Sequence, residues 1–391
     1  MMRHGHRLGL AAMAATMLIG VAAPGVAVAG TGADRPELRD AMRAAVDAGL
    51  TGVQLRVHDE HGEWAGSAGL RELGRPGAPP TDGRFRIGSN TKTFTAALML
   101  QLVAEDRIGL DDVVADRLPE FGLDRRITVR MLLQHTSGLF NFTGEYYDDG
   151  TVTPGIVWSG REWVDSRFRT YRPAELVRFA LSKPPRFAPG TDWNYSNTNY
   201  VVVRLLIEKV SGRSYAEEMS RRILRPLGLR DTTVPGTSPE IHGPHAHSYY
   251  RYEEDGRQVT VDVTRQNPSW ISSAGDMIST TEDLHTFFDA LLDGKLIPEA
   301  LLAEMREPEP MSGAYGYGLG VMVQDTGAAC SGVVLTHNGS VQGSAALMYS
   351  TLDGSRTLEA SITYVDDAAG STVGPGQAAI ARLFTTVFCP A

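Results

Sequence analysis

Lysine is scarce in this chain. Lys92, Lys183, Lys209 and Lys295 are the only lysines among 37 basic residues, so each carries more information than usual. Cysteine is scarcer still, with Cys330 and Cys389 alone. Neither has the spacing of a metal ligand, which argues against a cysteine-based zinc module. Positive charge is in deficit: the net charge is −9, a surface that repels phosphate backbones and speaks against nucleic-acid binding. There is no glycine-rich phosphate loop and no G-x-S-x-G elbow, so nucleotide-binding and α/β-hydrolase readings lack their signatures. Past the N-terminus no apolar run is long enough to span a bilayer. The rest is ordinary for a folded protein: 391 residues, 42% hydrophobic and 21% charged. At roughly 100–200 residues per domain, this length fits two domains or one large fold with an insertion.

The N-terminus reads as a targeting segment. Arg3, His4, His6 and Arg7 precede an uncharged apolar run from Leu8 to Ala23, and Ala27-Val28-Ala29 fits a small-x-small cleavage site. A secretory signal peptide over residues 1–29 is expected, with Gly30 first in the mature chain. The run falls short of the ~20 residues of a spanning helix, and Pro24 and Gly25 break it. Cleavage would leave 35 basic against 46 acidic residues, a charge of −11. An oxidising compartment would favour a disulfide between Cys330 and Cys389, stabilising by about 3–4 kcal/mol through loop closure.

Apolar periodicity outlines the organisation. Residues 35–49 repeat Leu38, Met42 and Val46 at helical spacing and end at Gly49. Strands are expected over Val53–Val57 and Trp64–Ala68, joined near His61-Gly62. Asn90–Ala104 reads as an apolar helix. Residues 100–265 read as helices, including Leu176–Leu181 and Tyr200–Val210, separated by long polar loops. A further helix over 281–293 carries Leu284 and Phe288 on one face. Strands are expected at Gly318–Val323, Val333–His337, Ser344–Tyr349 and Thr357–Tyr364, then a closing helix over 376–388. This is an α/β (α+β) pattern: an antiparallel sheet from both chain ends, about 30–85 and 265–391, with a mostly helical part, about 100–265, inserted.

Three short motifs carry candidate chemistry. Ser89-Asn90-Thr91-Lys92 sits where a loop enters a helix, so the Lys92 amine can reach the Ser89 hydroxyl three residues back. A serine hydroxyl needs an adjacent base, and a lysine whose pKa is lowered can serve. Alone, the pattern also describes a helix-capping serine and a solvated lysine. Tyr195-Ser196-Asn197 follows a polar turn: a tyrosine beside an ammonium has its phenolate favoured and could relay protons, and Asn197 offers donor and acceptor to an amide. Alone, it is also a turn and cap. His337-Asn338-Gly339 ends a β-run, where glycine admits a close backbone and a free edge N–H could complete an oxyanion hole.

In this order, Ser-x-x-Lys, Tyr-x-Asn and His-x-Gly resemble the penicillin-recognising serine hydrolases of the β-lactamase/transpeptidase-like fold. Tyr-Ser-Asn as the second element is similar to the branch of class C β-lactamases, Streptomyces-type D-alanyl-D-alanine carboxypeptidases and related esterases. FRIGSNTKTFTA (85–96), LLQHTSGL (132–139), NYSNTNYVV (194–202), SWISSAGDMISTTEDL (269–284), GYGLG (316–320) and HNGSVQG (337–343) resemble that branch too. Cys330 and Cys389 also look like the secreted carboxypeptidases. The resemblance implies an acyl-enzyme at Ser89, with Lys92 and Tyr195 sharing base and acid work. It implies that Asn197 holds the substrate amide and that the N–H groups of Ser89 and Ser340 form the oxyanion hole. His337 would replace the β-lactamase lysine, with Asn338, Gly339 and Ser340 flanking the substrate. Trp270 could wall the cleft or belong to the core.

The activity implied first is D-alanyl-D-alanine carboxypeptidase-type cleavage of peptidoglycan-like peptides, with β-lactams as inhibitors and no cofactor. An esterase, a D-amino-acid amidase or a β-lactamase is the alternative, and a silent penicillin-binding domain a third reading. One departure matters. A carboxypeptidase holds a free carboxylate, for which a cation is suited. Val321-Met322-Val323 after Gly320 offers none, and Asn338 and Ser340 stand where threonines are expected. His242, His245 and His247 read as a solvated loop, and His135 as a structural loop residue; no metal site is expected.

Overall fold

The structure is a computed structural model that describes residues 27–29, 34–147, 149–367 and 373–389. Its frame is a seven-stranded antiparallel sheet. The strand order is Ala27–Ala29, Gly62–Gly69, Gly52–Asp59, Thr357–Thr363, Ser344–Thr351, Val333–Val341 and Met322–Asp325. Both chain ends build it. The segment expected to be a signal peptide lies outside the described residues except Ala27–Ala29, which pair with Ala65–Ser67 at the sheet edge.

Strand alternation divides the sheet into two faces. Val53, Leu55, Val57, Leu358, Ala360 and Ile362 point to one face, where they meet Leu38 and Met42 of the helix Pro36–Asp47 and Leu383 and Phe388 of the helix Val373–Phe388. The disulfide Cys330–Cys389 ties the end of that last helix to the segment before strand Val333–Val341. The other face meets the helix Thr281–Leu292 and the main core. At the centre of that core lies the helix Thr91–Ala104, buried on every side from Thr91 to Leu100. A helix apolar all round can only be an interior helix. Phe94 on it stacks on Phe287, with ring centroids 3.5 Å apart.

Two expectations change. The strand placed at Gly318–Val323 begins at Met322; Gly318 to Val321 form a turn closed by the Gly318 N–H on the Val321 carbonyl. The middle of the chain is not all helix and loop. Tyr249–Glu254 and Arg257–Asp262 form a hairpin, and Val365–Asp367 adds to it in parallel. Its two-residue turn is Asp255-Gly256, both at positive φ, which matches the twist of antiparallel strands.

Candidate active site

Ser89 lies in the 3₁₀ turn Gly88–Asn90, which runs directly into the helix Thr91–Ala104. This turn packs against the end of strand Val333–Val341. The neighbouring strand Met322–Asp325 stops pairing at Thr336, so His337 to Val341 are hydrogen-bonded on one side only. The open side faces Ser89. A Cβ on Gly339 would lie 1.9 Å from the Ile87 carbonyl oxygen and 2.7 Å from the Ser89 nitrogen. Only glycine permits that approach. Gly88, at φ +51°, is equally confined, since a Cβ there would come 2.5 Å from the Ser340 nitrogen. The backbone nitrogens of Ser89 and Ser340 thus border the same small space.

Lys92 is completely buried. Its Nζ lies 3.1 Å from Ser89 Oγ, 2.8 Å from Asn197 Oδ1 and 2.8 Å from the Ala274 carbonyl oxygen. Among the described residues no carboxylate pairs with it. Burial alone therefore drives its pKa well below the usual lysine range. A neutral amine has two hydrogens and one lone pair. The two carbonyl oxygens take the hydrogens, and the lone pair is left for the Ser89 hydroxyl proton.

Tyr195 reaches the same serine from the extended segment before the helix Asn197–Ser211. Its ring lies 4.7 Å from Lys92 Nζ, and its hydroxyl interacts with that of Ser89. Burial pushes the phenol pKa up, and the nearby Ser89 hydroxyl offsets only part of this. This revises the expectation of a favoured phenolate. Burial disfavours the Lys92 ammonium that would stabilise a phenolate, and it favours the uncharged form of both groups.

Asn197 is held on three sides. Its N–H donates to Asn141 Oδ1, its Nδ2 donates to Thr143 Oγ1, and its Oδ1 accepts from Lys92. In this arrangement it orients the amine. His337 is fully buried. Its Nδ1 donates to the Asn338 carbonyl and its Nε2 accepts from the Tyr317 hydroxyl, at 2.9 and 3.0 Å. Burial is the main cause that lowers its pKa to about 3, so the imidazole is neutral.

Other candidates fall elsewhere. Asn338 points to the opposite face of the strand, where its Nδ2 donates to the Tyr349 hydroxyl. Ser340 is exposed beside Gly339. Of the two readings of Trp270, burial favours the core: it packs in the main core and donates to Gln266 Oε1.

Tyr317 and Glu145 were not singled out from the sequence, and His135 was read only as a structural loop residue. His135, at φ +69° and fully buried, accepts the Ser196 N–H on Nδ1 and lies 4.4 Å from the Tyr195 ring. It sits within LLQHTSGL, which marks the stretch without revealing the role. Tyr317, within GYGLG, fixes the His337 tautomer. Glu145, almost fully buried, accepts the Asn141 N–H and the Asn194 amide, bracing both ends of the Asn197 cradle.

The Beta-lactamase family model matches residues 14–358, and the chain belongs to that family of serine hydrolases. Penicillin-binding protein 4* of Bacillus subtilis (strain 168) is 27% identical over 301 residues, covering 75% of this chain and 63% of the relative. Protein flp of Staphylococcus aureus (strain MW2) is 29% identical over 212 residues, 53% of this chain and 38% of the relative. The chain thus spans less than two thirds of the length of these relatives. Among solved structures, a D-stereospecific amidohydrolase from Streptomyces sp. is 36% identical, with a TM-score of 0.78, and is covered over 100% of its length by 92% of this chain. The D-amino acid amidase of Ochrobactrum anthropi SV3 shares the fold, with a TM-score of 0.73, 24% identity and coverage of 89% of this chain and 96% of that one.

Proposed function

We propose that this chain is an exported serine amidohydrolase that forms an acyl-enzyme at Ser89 and prefers substrates with a D-configured residue at the acyl position. Neutral Lys92 accepts the Ser89 proton as Oγ attacks the substrate carbonyl. The N–H groups of Ser89 and Ser340 take the developing oxyanion. Tyr195, whose hydroxyl interacts with that of Ser89, passes the proton on to the leaving amine, and water then attacks the ester by the reverse route. Asn197, His135 and Glu145 act as positioning residues. The catalytic unit is residues 30–391, with the part over about 100–265 contributing Tyr195 and Asn197. Cleavage after Ala29 would remove the edge strand and leave Gly62–Gly69 in its place. The Cys330–Cys389 bond supports an extracytoplasmic location.

The observation that carries the specificity is the state of His337. At the position where the resembling β-lactamases carry a cation, this chain has an imidazole with both nitrogens engaged and its charge suppressed. A neutral group does not hold a terminal carboxylate, so amide or N-terminal substrates suit the site better than a free C-terminal D-alanine. The likeness to the Streptomyces D-stereospecific amidohydrolase supports the same reading. The test compares D-phenylalanine amide, its L-isomer and a D-alanyl-D-alanine peptide as substrates of wild type and Ser89→Ala. Preference for the D-amide, lost in Ser89→Ala, is expected. Faster release of D-alanine from the peptide would overturn it in favour of a carboxypeptidase. Intact mass after penicillin reads β-lactam acylation in parallel: a lasting adduct on Ser89 marks β-lactams as inhibitors.

A further inference from the structure

The side of the sheet beneath the helix Thr281–Leu292 is unusually polar at one corner. His58 and Glu63 face each other across the hairpin Gly52–Asp59/Gly62–Gly69, and Thr357 pairs with His58 on its other side. His285 descends onto them from the helix. Ligand atoms of His58, Glu63 and His285 all lie within 4.8 Å of one another. Beneath them Glu359 is fully buried. Its Oε1 has no hydrogen-bond partner and stands 3.7 Å from His285 Nδ1, and His58 Nδ1 is buried without a partner too. Leaving such atoms unpaired costs stability unless something completes them.

The hydrogen bonds set the tautomer. Thr357 Oγ1 donates to Glu359 Oε2, so it accepts from His285 Nδ1 at 3.1 Å. In the neutral imidazole His285 Nε2 then carries the lone pair, and it faces Glu63 Oε1 at 3.9 Å. A histidine that donates its other ring N–H to a hydroxyl backed by a carboxylate is oriented as metal-ligating histidines are. Charge agrees: Glu63, Glu282, Glu359 and Asp289 surround His285 and its neighbours, against Arg56 alone, which binds Glu63 Oε2 and Glu282.

We propose that His58, Glu63 and His285 bind a divalent transition-metal ion of the Zn²⁺ class, with water as fourth ligand and Thr357 and Glu359 behind His285. Two imidazoles and one carboxylate suit zinc or its later neighbours rather than magnesium or calcium. Glu63 is exposed, and its Oε1, the oxygen not bound by Arg56, faces His285. The ion clamps the helix Thr281–Leu292 to the hairpin, well apart from Ser89 chemistry, so it stands whatever the substrate proves to be.

The test uses the full chain, stripped with a chelator and titrated with Zn²⁺, then with Mg²⁺. One equivalent of Zn²⁺ and a raised melting temperature are expected, with no response to Mg²⁺. Glu63→Gln and His58→Ala should each abolish stoichiometric binding, and Glu359→Gln should weaken it roughly 10–100-fold. Glu63 lies on the surface, so that variant should fold; an unchanged metal-free melting temperature and intact hydrolysis check this. No Zn²⁺ binding by wild type would overturn the proposal. So would binding that survives His58→Ala but is lost in His247→Ala, which would locate the ion on the His245–His247 loop instead.

Discussion

Lys92 and Glu218 are both completely buried ionisable side chains, and they are buried in opposite ways. Glu218 is wrapped by cations: Arg221 and Arg222 hydrogen-bond it and Arg213 lies 3.5 Å away. Burial alone would raise its pKa, but the arginine bonds outweigh it and hold the carboxyl below its usual range. Lys92 has hydrogen-bond acceptors but no opposite charge, so its burial is uncompensated and the amine discharges. A buried charge with partners is architecture; a buried base without them is available for proton transfer.

Four experiments can break or sharpen this contrast. Ser89→Ala should lower hydrolysis by at least roughly 1,000-fold with an unchanged melting temperature, because one half-buried hydroxyl is lost. Residual activity near wild type would remove Ser89 from the chemistry. Lys92→Met should cost on the order of 100- to 10,000-fold in acylation rate. Its pH behaviour is equally telling. Between its depressed folded pKa and the usual 10.5, Lys92 binds fewer protons folded than unfolded, so stability climbs with pH across that window. Denaturant titrations at several pH values should show that slope in wild type and lose it in Lys92→Met, while wild-type kcat/KM rises with pH as the amine discharges.

Glu218→Ala should do the reverse: activity intact, stability down by about 1–2 kcal/mol, because Arg222 keeps Glu105 but loses one of its two carboxylate partners. Equal losses of activity in Glu218→Ala and Lys92→Met would end the distinction. Asp276 provides the smallest effect. Burial pushes its carboxyl up to about 6, against attraction from Arg204 and Arg86. A raised folded pKa gives stability below the unfolded value of 3.8 that is lost as pH rises through about 6. Asp276→Asn should therefore stabilise by roughly 2 kcal/mol at pH 7 and not at pH 3, read by chemical denaturation at the two values.

Much of the fold was legible where burial repeats regularly. The helices at residues 35–49, 90–104 and 281–293 and the strands at Val53–Val57 and Ser344–Tyr349 appear close to their expected bounds, because each faces a core on a fixed period. The Tyr249–Asp262 hairpin was missed although its Asp-Gly turn is a strong signal; its charged face, with Arg251, Glu253, Arg257 and Asp262 among the tyrosines and valines, mimics loop composition. The Ser89–Lys92 contact was legible because it spans less than one helical turn. Trp270 was ambiguous, since an aromatic in a proline- and serine-containing turn reads alike in a core and in a cleft.

What the sequence by itself determined is local: which residues could act as nucleophile and base, the two-cysteine pairing, and the order of helices and strands. Periodicity and short spacing encode these within a turn or two of chain. Only the tertiary structure decided that Lys92 would be neutral, since that depends on Ala274 and Asn197, far away in sequence, supplying acceptors and no charge. The same holds for His337, discharged by burial, and for His58, Glu63 and His285, gathered from two strands and a distant helix. Protonation state and ligand geometry are set by everything packed around a group, and that packing exists only once the chain has folded.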